Sequence, residues 1–194
     1  MGLTLNSLSL TSGTGGSGLT ESAVKDMLEY EYIGKVSITS SVSAVDITQG
    51  VDNTVYDGFS FHIVDFKFLV YTYPVISVLN SSGTVYNTTG YISIKEGTTR
   101  TYDNISSMTT RDINISAPID NSNKHYIKVD VDCPIGTTYI NGRFFCSYDT
   151  SPNSFSHGSF KTSGSNGFGG IQFRPNSGSL AQGDILIYGR RKRT

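Results

Sequence analysis

Apolar and polar residues alternate through most of the chain beyond residue 30, with a period of two rather than 3.6. The clearest run is HYIKVDVDC: Ile127, Val129, Val131 and Cys133 share one face, and Tyr126, Lys128, Asp130 and Asp132 the other. That spacing predicts a half-buried strand, closed by Pro134 and Gly136, with residues 143–148 as its hairpin return. The most apolar segment, FSFHIVDFKFLVY, changes phase within itself. Phe59, Phe61 and Ile63 fall on odd positions, whereas Phe66, Phe68 and Val70 fall on even ones. A slip of one residue would turn every side chain over, so a β-bulge or a break is predicted near Val64 and Asp65. Further strands are expected at 32–38, 45–48, 75–79, 90–95, 113–116, 170–174 and 185–188. About eight to ten short strands between Gly, Asn, Asp and Ser turns predict a sandwich or barrel.

Residues 1–29 follow a different rule. LTLNSLSL alternates, TSGTGGSG is a flexible linker, and Thr20 is placed to cap a short helix running to Leu28. The expected organisation is an N-terminal arm, linker and helix over 1–29, then a β-domain over 30–194 that ends in a basic tail. Gly13, Gly15 and Gly18 match a dinucleotide-binding fingerprint in form, but no second βα unit follows, and a linker is the better reading.

Composition narrows the chemistry. Charged residues make up 16% of the 194, against roughly 25% in ordinary globular proteins. The 15 basic and 16 acidic side chains leave a net charge of −1, so no chain-wide field favours nucleic acid or membrane. The first residues lack the basic and continuous apolar regions of a secretory signal, which predicts synthesis and folding in a cytoplasm. Cys133 and Cys146 are therefore expected as buried thiols, although one disulfide between them is possible. His62, His125 and His157 stand too far apart for an inherent metal geometry, and no G-x-S-x-G elbow is present. Asp130 and Asp132 project from one strand face about 7 Å apart, a spacing open to calcium or acid–base work; the plainer reading is a polar outer face neutralised by Lys128. No enzyme, cofactor or metal is expected. Arg190, Arg191, Lys192 and Arg193 form a cationic tail able to meet phosphates, an acidic neighbour or simply water.

The stretch FSHGSFKTSGSNGFGGIQF mixes Phe with Gly and Ser. Its Phe155, His157, Phe160 and Phe168 are candidates for receptor-facing loops, since aromatic groups on Gly-rich loops make stacking platforms. The alternative is that the rings anchor those loops in the core.

Gln182-Gly183-Asp184-Ile185-Leu186-Ile187-Tyr188-Gly189 resembles the closing strand of small jelly-roll modules in tailed-bacteriophage virions, including capsid decorations, head fibres and tail fibres. Tyr30-Glu31-Tyr32-Ile33-Gly34 resembles their opening strand, with Tyr32 where many carry Trp. Residues 47–61 and Ile171-Gln172-Phe173 are similar to internal segments, so the resemblance covers about 30–189. It implies an antiparallel jelly-roll-like β-sandwich, a homotrimer, residence in the virion and no catalytic residues. The expected function is capsid decoration or head fibre, docked on the major capsid protein or another virion protein through Leu3, Leu5, Leu8, Leu10, Val24, Met27 and Leu28. The alternative is a tail fibre or tail tip binding a host-surface glycan or receptor; a polysaccharide-degrading enzyme is a third reading.

Overall fold

The computed structural model describes residues 30–86, 88–96, 99–104, 113–114, 119, 125–133, 139–147, 155–163 and 167–192. The expected arm, linker and helix, with the anchor residues Leu3 to Leu28, lie outside the described residues. So does Arg193 of the tail.

Twelve strands are present among the described residues: β1 (Glu31–Ile38), β2 (Val45–Ile47), β3 (Tyr56–Phe68), β4 (Pro74–Asn80), β5 (Thr88–Glu96), β6 (Thr99–Asn104), β7 (Ile113–Asn114), β8 (His125–Asp132), β9 (Tyr139–Ser147), β10 (Phe155–Ser163), β11 (Phe168–Pro175) and β12 (Leu180–Arg191). They form an eight-stranded sheet in the order β1-β12-β3-β8-β9-β10-β5-β6 and a four-stranded sheet in the order β2-β11-β4-β7. Every pairing is antiparallel. The described residues thus form an all-β antiparallel sandwich, as the period-two patterning predicts.

Its connections are jelly-roll-like. Successive strands β1, β2, β3 and β4 alternate between the sheets, and β7, β8, β11 and β12 do so again on the way back. The order β1-β12-β3-β8 faces β2-β11-β4-β7, and two hairpins are added to this frame. β5–β6 and β9–β10 prolong the larger sheet beyond β8, by four strands in all.

The core is aromatic. Phe59, Phe61, Phe66 and Phe68 on β3 point to the smaller sheet, where Phe168 and Phe173 on β11 meet them. Ring centroids lie 5.4 Å apart for Phe59–Phe168 and 5.3 Å for Phe66–Phe173, the latter edge-to-face. Each such side chain contributes up to about 3 kcal/mol by leaving water. Ile127, Val129 and Val131 fill the same layer from β8, and Ile185 and Ile187 from β12.

All four of these β3 rings point inward despite their change of phase, because the strand bulges where expected. Its register with β8 shifts between Ile63 and Phe66, and Asp65 takes a left-handed φ of 51°. Opposite, the register of β12 shifts between Gln182 and Asp184, with Gly183 backed onto Phe66. The closing motif is explained by the same logic. A Cβ on Gly189 would lie 2.5 Å from a Tyr56 ring carbon and 2.7 Å from Ile33 Cδ1, so only glycine lets the ring lie on the strand.

Cys133 and Cys146 are free and buried. Burial pushes the Cys133 thiol up to about 12, assisted by the Asp57 carboxylate.

Two substitutions test these constraints. Gly189→Ala should lower unfolding free energy by about 1–3 kcal/mol through overpacking, read by urea denaturation. Asp65→Gly should be tolerated while Asp65→Val costs about 1–2 kcal/mol more, because a β-branched residue resists the left-handed conformation.

Candidate functional site

Alternation leaves one face of the large sheet in solvent, and its cross-strand register gathers polar and aromatic side chains into rows. Tyr188, Ser60, Asp130, Arg143 and Ser159 lie across β12, β3, β8, β9 and β10. The next row on the same face runs Leu186, His62, Lys128, Phe145 and His157.

A hydrogen-bonded cluster ties β3 to β8 at the first two rows. Ser60 Oγ donates to Asp130 Oδ1 at 2.7 Å, and Lys128 Nζ donates to Asp130 Oδ2 at 2.9 Å. With its one proton committed to Asp130, Ser60 accepts from His62 Nε2 at 3.1 Å. That assignment leaves His62 Nδ1 as an acceptor for the Tyr126 hydroxyl at 3.2 Å. Both contacts fit a neutral imidazole that carries its proton on Nε2. Burial holds its pKa below the ordinary histidine value, and the Lys128 ammonium adds to that effect while Asp130 opposes it. Tyr188 and Tyr126 pack against the His62 ring at 5.0 and 6.0 Å.

Ser, His and Asp are together here, but the order is not that of a nucleophilic triad. In a triad the carboxylate orients the imidazole and the imidazole accepts the serine's hydrogen bond; here the carboxylate accepts it. Ser60 is also only 2% exposed. The cluster holds two strands in register.

A second group lies further along the sheet, on β9 and β10. Phe145 and Phe155 have nearly parallel rings, 23° apart with centroids at 6.1 Å, and Phe155 stands in the same relation to His157. Phe145 and His157 are exposed and Phe155 is half-buried. Lys161 Nζ sits 3.8 Å over the Tyr139 ring on the same surface.

The two ends of the sandwich differ. At one, β1 begins and β12 ends, and the described cations of the tail, Arg190, Arg191 and Lys192, are held within the chain. Arg191 Nε binds Glu31 at 2.5 Å, and Arg190 binds both Asp57 and Asp132 at 2.8 Å. Lys192 Nζ donates to the Asn53 carbonyl. Burial works against the Arg190 charge, but Asp57 and Asp132 outweigh it and raise its pKa. At the other end, the β3–β4 loop exposes Leu69, Val70, Tyr71 and Tyr73.

These placements revise several sequence expectations. Phe155 and His157 do reach the surface, but from a strand rather than a loop. Phe160 and Phe168 cannot face a receptor: they are 3% and 2% exposed, turned inward by the alternation of β10 and β11. Phe160 lies over Gly142, where a Cβ would come within 2.0 Å of its ring. Asp130 and Asp132 are each engaged by a separate cation rather than by one another. His125 is buried beside Phe66, as its inward phase suggests. Phe145 and the Ser60–His62–Tyr126 contacts were missed. The i, i+2 spacing of Ser60 and His62 marks a shared face, but only register brings Asp130 to them.

No protein-family model matches the chain, and no curated protein matches it.

The low His62 pKa has a signed consequence. The unfolded imidazole titrates near 6.5 and the folded one lower, so this contribution to stability is complete above about pH 6.5. It is lost as pH falls through the folded value. Denaturation midpoints between pH 7.5 and 5 should therefore fall less steeply for His62→Gln than for the parent.

Proposed function

We propose that the chain is a structural module of a bacteriophage virion, a capsid decoration or head fibre docked through residues 1–29 with its β-sandwich facing outward. The reading rests on the resemblance of the opening and closing strands. One observation carries its orientation: β1 begins and β12 ends at one pole, tied by Glu31–Arg191, while the exposed side chains of Leu69, Val70, Tyr71 and Tyr73 lie at the other. A module tethered by the segment before Tyr30 turns that second pole away from its support. Internal pairing of Arg190, Arg191 and Lys192 favours an appendage over a nucleic-acid binder, since these cations already have partners within the fold. A homotrimer is the assembly the resemblance implies.

A second reading, a tail fibre or tail tip attached to a host-surface glycan, draws support from the surface rings of β9 and β10.

Co-sedimentation with capsids lacking the protein tests the first reading. The full chain should bind saturably, and replacing Leu3, Leu5, Leu8 and Leu10 together by Asp should abolish binding while leaving the thermal unfolding midpoint unchanged. Absence of binding by the parent chain would overturn it.

A further inference from the structure

We infer that the loop between β3 and β4 is a membrane-insertion element, in which Leu69, Val70, Tyr71 and Tyr73 enter the interfacial layer of a phospholipid bilayer carrying anionic headgroups. The inference goes beyond the docking proposed above, because the loop lies at the pole opposite the start of β1 and belongs to the free chain.

Exposed apolar groups ordinarily lie scattered over a surface. Here Leu69 is 49% exposed, Val70 42%, Tyr71 67% and Tyr73 39%. Four of the eight large apolar side chains exposed among the described residues thus fall within five consecutive positions.

The fold fixes this loop from both sides. Leu69 N–H donates to the Ser179 carbonyl at 2.9 Å, Asn176 N–H donates to the Tyr73 carbonyl at 2.9 Å, and Thr72 exchanges both backbone bonds with Ile119. Thr72 breaks the apolar run, but its side chain turns inward. It is 3% exposed, and its hydroxyl accepts from the Ser177 N–H at 3.1 Å. Val70 rests on Gly178, where a Cβ would come within 2.5 Å of its Cγ2. A nonpolar phase rejects unpaired polar groups, and these bonds turn those of Leu69, Thr72 and Tyr73 into the fold. Aliphatic side chains and two phenols lead outward, and tyrosine favours the headgroup level.

Charge selects the kind of bilayer. Lys67 precedes the loop on β3, and Arg174 on β11 is opposite Val75, just beyond it. The stretches 66–76 and 173–183 around the loop hold these two cations and no carboxylate. The nearest carboxylates along these strands, Asp65 and Asp184, are at the bulge, and Asp184 already binds Lys35 at 2.8 Å. Asp120, next in sequence to Ile119, lies outside the described residues. A net charge of −1 gives the chain no general attraction to a membrane, so the local cations supply it.

A second copy of the chain is a poorer occupant. The four side chains expose about 400 Å², half of the roughly 800 Å² that each partner gives to a stable interface. A bilayer needs no complementary shape, and loops on neighbouring copies add their affinities.

Flotation of the full chain with phosphatidylcholine vesicles, with and without about 30% phosphatidylglycerol, tests the inference. Half-binding to the anionic vesicles is expected at about 0.1–1 mM lipid, the range of a single acyl anchor. Replacing Leu69, Val70 and Tyr71 together by Ser should weaken it about tenfold or more, and Tyr71→Ser alone about threefold with an unchanged unfolding midpoint. Lys67→Gln combined with Arg174→Gln should reduce binding to the level of the neutral vesicles. Tyr32→Ser, which removes an exposed ring elsewhere, should bind as the parent does. The chain has no Trp, so Tyr71→Trp reports on the loop alone: its emission should shift to the blue on vesicles and be quenched by brominated acyl chains. Absence of flotation up to about 5 mM lipid would overturn the inference, as would undiminished binding by the triple variant, equal affinity for neutral vesicles or an unshifted Trp emission. Self-association of the parent that the triple variant lacks would overturn it in favour of a second copy. Capsid co-sedimentation reads residues 1–29 instead, so the two proposals fail separately.

Discussion

The contact between β3 and β11 holds the two sheets together. Phe59, Phe61, Phe66 and Phe68 meet Phe168 and Phe173 across the middle of the sandwich, with ring centroids 5.3 to 6.3 Å apart. Aromatic pairs at these distances add about 0.5–1.5 kcal/mol each to the burial of their area. β3 is also the neighbour of both β12 and β8, so its inward rings and its register position the outer face as well. A strand of 13 residues keeps that double role only by bulging once. The left-handed turn at Asp65 restores the inward phase for Phe66 and Phe68, and Gly183 on β12 yields the space.

The same economy appears at the pole where β1 begins. A chain with few charges uses several of them there in one linked arrangement: Glu31 accepts from Arg191 and from the Tyr56 hydroxyl, and Arg190 bridges Asp57 and Asp132. Tyr56 is raised to about 12, first by burial and then by its hydrogen bond to Glu31. These pairs are partly exposed, so each adds modestly to stability. Their larger effect is geometric: they join β1, β12, β3 and β8, four adjacent strands of the large sheet, at one pole.

The two added hairpins lie outside the eight-stranded frame. Eight strands suffice for the two facing sheets, and β9–β10 then extends the large sheet sideways with its own alternating faces. Its inner face is buried through Ile140, Phe144, Cys146 and Phe160, while its outer face offers Phe145, Phe155 and His157. Adding strands to an existing edge is an inexpensive way to enlarge a surface, since the backbone partners are already in place.

Much of the fold was legible in residue order alone. Period-two alternation marked β8 and both halves of β3, and the phase change in β3 located its bulge to within a residue or two, because a strand has only two faces and a slip is visible as parity. β6 and β10 went unread for the opposite reason. FSHGSFKTS has apolar residues on both parities, and it is a strand because β9 and β5 supply hydrogen-bond partners on either side. The surface followed the same division. Local pattern showed that His62 and Asp130 face outward, but not that they stand two residues apart across a ladder, nor that Phe145 lies beside Phe155. Which side chains share a face is written in the period of the chain; which strands lie next to one another is decided by contacts between segments up to about 160 residues apart, and those exist only once the sheets have formed.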